Sequence, residues 1–164
     1  MRKRWIVGVV VVSMFISACA STSALRSRNN EKRRVKDEAN EFYNALRDKN
    51  PEKMWQLLSP FVKKENPKEG YVADVEGILK AVTDLDYSNL TVVYMSKKLA
   101  VTQVYIQFRF HEEDKVSNID ECARAIWLRF PEGWRVQEYG LSCSYMYMPD
   151  KKRIKFLTKN VPDL

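Results

Sequence analysis

Histidine occurs once in these 164 residues, at His111, and glycine only five times. One imidazole beside the loop carboxylates Glu112, Glu113 and Asp114 does not make a metal centre, which takes three or four convergent ligands, so this group reads as exposed surface. No glycine-rich phosphate loop, no metal-ligand spacing and no nucleophile elbow is present. No catalytic residue, metal or cofactor is therefore expected. Nor does any apolar run reach the roughly 20 residues that span a bilayer as a helix. Cysteine is sparse too: Cys19, Cys122 and Cys143 are the full set.

What the chain does have begins at its first residues. Arg2, Lys3 and Arg4 precede an apolar segment from Trp5 to Ile16, which runs into Ile16-Ser17-Ala18-Cys19. Positive charge, a short apolar stretch and small residues before a cysteine resemble the signal peptide and lipobox of a bacterial lipoprotein. The resemblance implies cleavage before Cys19 and acylation of its thiol; two or three acyl chains anchor stably where one does not. The alternative is an ordinary signal peptide cut after Ala18 or Ala20. Ala20 stands where enteric lipoproteins retained in the inner membrane carry Asp. The expected location is thus the cell envelope, on the outer membrane facing the periplasm rather than the inner membrane, with the membrane itself as partner through Cys19.

Removing 18 of 164 residues leaves 146, the size of one domain. Three of the 28 basic residues and none of the 21 acidic ones leave with the signal, so net charge falls from +7 to +4. That mild charge on an exported chain with no binding motif argues against nucleic acid. The remaining basic clusters lie near the ends, Arg26 to Lys36 and Lys151 to Lys155. They read as solvated surface, or else as contacts to anionic lipid or cell-wall polymer.

Residues 19–30 are small and polar and read as a lipidated tether. From Asn30 the period becomes helical, with Val35, Ala39, Phe42 and Leu46 on one stripe. The helix should stop near Lys49, because Pro51 disfavours helical geometry at Asn50. Asn50, Pro51 and Glu52 then open a second helix, which Pro60 closes. A third helix fits residues 71–82. After Leu90 the period becomes two. Val104, Ile106, Phe108 and Phe110 alternate with polar residues in one strand, an earlier strand fits 90–96, and strands 120–130 and 134–142 form a hairpin through Pro131-Glu132-Gly133. Helices grouped before strands argue for an α+β domain with the helices on one face of an antiparallel sheet.

The segment from Glu41 to Pro60, a helix with an apolar-aromatic group turning into a helix that ends Leu57-Leu58-Ser59-Pro60, resembles the opening of NTF2-like (cystatin-like) domains. Gly133-Trp134-Arg135-Val136 is similar to their last hairpin. The resemblance covers residues 31–142 and implies a cone: three N-terminal helices packed on a curved antiparallel sheet of about four to five strands, with a cavity inside. Fold does not choose function here. A non-catalytic binding or assembly module in the envelope, meeting another envelope protein, is the first expectation. A carrier of a small apolar ligand of unknown identity is the second, and an isomerase or hydratase the third. Ligand binding calls for a greasy cavity with at most one satisfied polar pair. Catalysis calls for two unpaired inward polar groups within reach, and assembly for a filled cone with an exposed apolar patch.

Three residues are candidates for the cavity. Tyr43 stands where related isomerases place a phenol that holds an oxyanion. Arg124 shares strand parity with Ile126, Leu128 and Phe130, and Glu138 shares it with Trp134 and Val136, so the two can form an inward ion pair, structural first, otherwise ligand-binding or catalytic. Cys122 and Cys143 remain after Cys19 is acylated, an even number suited to an oxidising compartment. If Phe130 faces Trp134, Cys122 falls opposite Ser142 and Cys143 points away. A one-residue bulge near residues 138–140 would bring the two sulfurs together, and a Cys122–Cys143 disulfide is the expectation; the alternative is two unpaired buried thiols. Beyond them, residues 143–164 read as an extension of the last strand and a basic tail, Tyr145 and Tyr147 alternating with Met146 and Met148. The other reading of that tail is an amphiphilic surface for a partner.

Overall fold

The structure, a computed structural model, describes residues 3–112, 115–140, 143 and 148–163, with side-chain detail for 25–110, 117–140, 143 and 148–163. The expectations placed on His111 as a side chain, on Glu113 and Asp114, and on Tyr145, Met146 and Tyr147 lie outside it, as does the side chain of Cys19. Two compact units are present, Met1–Arg33 and Arg34–Leu164. Among the described residues no helix is long and apolar enough to cross a membrane.

Helix α1 is assigned to Lys3–Arg47. It includes residues 19–30, whose polar composition suggested a tether; Ala20, Ala24, Leu25, Arg26 and Arg28 are good helix formers, and a helix closes its own backbone hydrogen bonds without a core. In the second unit its stripe is as expected, Val35, Ala39, Phe42 and Leu46 all being buried. Lys49, at φ 51°, ends it. Helix α2, Pro51–Leu57, starts with Asn50 Oδ1 accepting from Lys53 N at 2.9 Å. Pro60 does not merely close that helix. It opens another, α3 (Pro60–Glu65), because a proline costs nothing at the first helical position and Ser59 Oγ caps Val62 N at 3.2 Å. Helix α4 follows at Lys68–Lys80.

The sheet is a four-stranded antiparallel meander, in order β1 (Val82–Met95), β2 (Leu99–Glu112), β3 (Lys115–Phe130) and β4 (Gly133–Gly140). Strand β1 begins eight residues earlier than its apolar pattern suggested and breaks register with β2 at three places. One break holds Asn89, at φ 56°, a conformation that asparagine tolerates. Such bulges bend the strand and raise its twist. In the last hairpin Gly133 takes φ 127°, and a Cβ there would come within 2.8 Å of Glu38 Oε1 on α1, so glycine is required twice over.

Both faces of the sheet are covered at this end, which the sequence pattern did not indicate. The inner face packs Ala100, Val104, Ile106, Ala123, Ala125, Trp127, Trp134 and Val136 against α1 and α2. The outer face packs Leu99, Val101, Ile126, Leu128 and Phe130 with Phe61 of α3 and with Ile154, Leu157 and Val161. Ile154 and Leu157 belong to α5, Lys151–Thr158, where a strand extension and tail were expected. Asp150 caps it, accepting from Arg153 N at 2.7 Å.

Candidate functional site

A cavity of about 420 Å³ opens at the mouth of the cone. The end of α1 contributes Leu46, α2 Met54, and α4 Val75, Ile78 and Leu79; the sheet contributes Val82, Phe108, Phe110, Ile119, Glu121 and Tyr139. The wall is apolar because these positions continue the buried stripes of α1 and α4 and the inward parity of β2. Phe108 and Phe110 stack at 5.9 Å with 27° between their planes. Ile78 and Ile119 stand at the rim, 62% and 43% exposed.

Polar groups in the wall are few. Tyr139 Oη lies 3.3 Å from Tyr71 Oη, one satisfied pair. Burial, together with the neighbouring Tyr139, pushes the Tyr71 phenol far above its ordinary value, so its hydroxyl stays protonated. Glu121, half-buried, is the one charged residue among the described lining. It faces inward because β3 alternates through Ile119, Glu121, Ala123, Ala125 and Trp127, with Glu121 in register with Ile106. It was missed in the sequence because the parity of β3 was assigned from its larger apolar residues, which belong to the other face.

That assignment also misplaces Arg124 and Glu138. Arg124 shares the outer face with Ile126, Leu128 and Phe130, and its Nε and Nη2 donate to Gln103 Oε1 at 3.0 and 2.9 Å. Glu138 would follow Trp134 and Val136 inward, but β4 slips by one residue: Trp127 pairs with Val136 while Ile126 pairs with Glu138. A one-residue slip turns every later side chain over. Glu138 therefore points outward and pairs with Arg153 of α5. Neither residue reaches the cavity.

Tyr43 does not line it either. One turn back from Leu46, its ring is 2% exposed and packs 5.6 Å from both Phe42 and Tyr87. Its hydroxyl has no hydrogen-bond partner. Burial drives the Tyr43 pKa far above the ordinary phenol range. The nearby Thr102 hydroxyl opposes this slightly without reaching hydrogen-bonding geometry, being itself the acceptor for Trp127 Nε1 at 2.9 Å.

Cys122 and Cys143 are at disulfide distance, their Cα atoms 5.2 Å apart. The slip in β4 occurs at Gln137, just before the bulge anticipated at residues 138–140. The hairpin also begins one residue out of the expected register, since Trp134 faces Arg129, and Phe130 faces Gly133. Trp134 and Phe130 consequently lie in separate cores.

A second groove, about 300 Å³ on the outer face, is lined by Asp84, Asp86, Arg109, Asn118 and Asp120 among others. Arg109 spans it, 3.5 Å from Asp84 and 3.3 Å from Asn118. Among the described residues no three His, Cys, Asp or Glu groups are placed to hold a metal ion.

No protein-family model and no curated protein matches the chain. Solved structures do. An NTF2-like protein with a cystatin-like fold from Novosphingobium aromaticivorans superposes with a TM-score of 0.56 at 13% identity, over 84% of this chain and 96% of that one. An NTF2-like family protein from Streptomyces avermitilis, provisionally named a dehydratase, gives 0.54 at 11% identity, over 68% and 94%. A protein from Novosphingobium aromaticivorans, provisionally named a scytalone dehydratase, gives 0.54 at 15%, over 70% and 85%. The domain has the NTF2-like, cystatin-like fold: α+β, with helices packed on an open four-stranded antiparallel sheet.

Proposed function

We propose that this protein is a lipid-anchored envelope module whose cone binds a small apolar molecule without transforming it. The cavity carries the reading: its volume lies within the range of ligand pockets, its wall is apolar, and its polar content among the described residues is one satisfied tyrosine pair and one carboxylate. Catalysis in a cone needs two unpaired polar groups within reach of one bound atom. The unpartnered phenol of Tyr43 is shut inside the core and does not line the cavity with Glu121. Among the described residues no such pair matches the dehydratase names of two similar structures. Anchoring rests on the sequence of residues 1–19 and places the cone at a membrane surface, the outer membrane facing the periplasm in this reading. A role in assembly with another envelope protein draws support from α5, where Phe156 is 77% exposed among Lys152, Lys155 and Lys159.

The test uses the chain from residue 20 onward, which keeps the whole Arg34–Leu164 unit. Its titration with the neutral fluorophore N-phenyl-1-naphthylamine should give saturable enhancement at one site. Val75→Trp, which fills the cavity, should abolish the enhancement while leaving the circular dichroism of the domain unchanged. Absence of saturable binding by the unmodified domain, or binding equal in the filled variant, would overturn the reading.

A further inference from the structure

We infer that the molecule held in the cone has a cationic head on an apolar body, a lipophilic amine in the simplest case, and that Glu121 is the group that selects it. The inference rests on the ligand-binding reading above and adds the chemistry of the ligand. Glu121 is half-buried on the inner sheet face, between Ile119 and Ala123 on its own strand and in register with Ile106. Among the described residues no Lys or Arg forms an ion pair with it, while exposed carboxylates elsewhere, on Glu41, Glu52, Asp84 and Asp163, do have basic partners. The other polar side chain among the described lining, Tyr139, has its hydroxyl engaged with Tyr71.

A carboxylate set in an apolar wall does little for a wholly apolar guest, because its water must be stripped with no partner in return. It works against an anionic guest by repulsion. A protonated amine supplies the missing countercharge, and in a partly desolvated mouth that pairing is stronger than at open surface. Charge therefore sets which end of the guest lies at Glu121, while Phe108, Phe110 and Leu79 take its hydrocarbon. Specificity of this kind is a difference between guests of equal apolar body.

Octylamine, octanol and octanoate have the same chain and differ in head group. Each would be used to displace N-phenyl-1-naphthylamine from the chain starting at residue 20, at neutral pH. Octylamine should displace it at about tenfold lower concentration than octanol, a difference of one charge-assisted hydrogen bond, with octanoate weakest. Glu121→Gln should bring octylamine to the level of octanol and leave octanol unchanged. Equal displacement by the amine and the alcohol in the unmodified protein overturns the role of Glu121 while the cavity remains a binding site. If none of the three displaces a probe that binds, selection by head group and the eight-carbon fit both fail. If the probe itself does not bind, the ligand-binding reading falls first. The ranking in the unmodified protein decides the matter even if the glutamine variant does not fold.

Discussion

Ser59 and Gln137, 78 residues apart, meet through a 2.7 Å hydrogen bond between Ser59 Oγ and Gln137 Oε1 at the place where β4 slips register. The same hydroxyl caps α3, and Ser59 N donates to Val136 O at 2.8 Å. A fully buried serine thus fastens the start of a helix to the bulge that turns Glu138 outward. Ser59→Ala removes a cap and leaves the Gln137 amide oxygen short of a donor. A loss of about 2 kcal/mol is expected, read from urea unfolding; a loss below about 0.5 kcal/mol would contradict this role.

The Cys122–Cys143 pair closes a loop of sequence separation 21. For a loop of that length the chain-entropy model gives roughly 3 kcal/mol. Reduction, or Cys122→Ser with Cys143→Ser, should lower stability by an amount of this order and loosen the end of β4 first, as read by amide hydrogen exchange. Non-reducing peptide mapping of protein isolated from cells without reductant should recover the linked peptides; two free thiols would refute the bond.

Tyr43 sets a limit at alkaline pH. Its phenol is neutral in the fold, with a pKa raised by burial above the ordinary value of 10.0 that it regains on unfolding. The unfolded state then gives up a proton that the folded state retains. Stability is complete below about pH 10 and falls as pH rises beyond it toward the folded pKa. Tyr43→Phe should flatten that fall in denaturant midpoints between pH 8 and 11, and be neutral or slightly stabilising at pH 7, since it deletes a hydroxyl with no partner. An unchanged alkaline slope would count against it.

The proposed lipid anchor rests on Cys19. Cys19→Ser should block acylation and leave the precursor uncut by the lipoprotein peptidase, seen as an intact mass that includes residues 1–18. If the unsubstituted protein recovered from membranes carries no acyl mass at residue 19, the anchor is excluded.

Where one periodicity ruled, the sequence was sufficient. The buried stripe of α1 and the alternation of β2 from Val104 to Phe108 both follow from a single wet face and a single dry one. Strand β3 has two dry faces: Ala123, Ala125 and Trp127 on one, Ile126, Leu128 and Phe130 on the other. Alternation cannot choose between them, and the bulkier set pointed the wrong way, taking Arg124 with it and hiding Glu121. The cause lies downstream in α5, whose two apolar contacts, Ile154 and Leu157, are too few among Lys151, Lys152, Arg153 and Lys155 to read as a core helix. At Gln137 the slip follows from a tertiary hydrogen bond to Ser59, which local pattern does not encode.

The covering of the outer face by the last residues has a practical side. Val161 is 3% exposed, and Lys98 Nζ holds both Val161 O and Asp163 Oδ1 at 2.7 Å. This tail works as a lid on the strip formed by Leu99, Val101, Ile126, Leu128 and Phe130. A version shortened to end before residue 150 would present that strip on an open sheet, a surface suited to self-association. A label or fusion partner is therefore better borne ahead of residue 34, outside the Arg34–Leu164 unit, than joined directly after the tail.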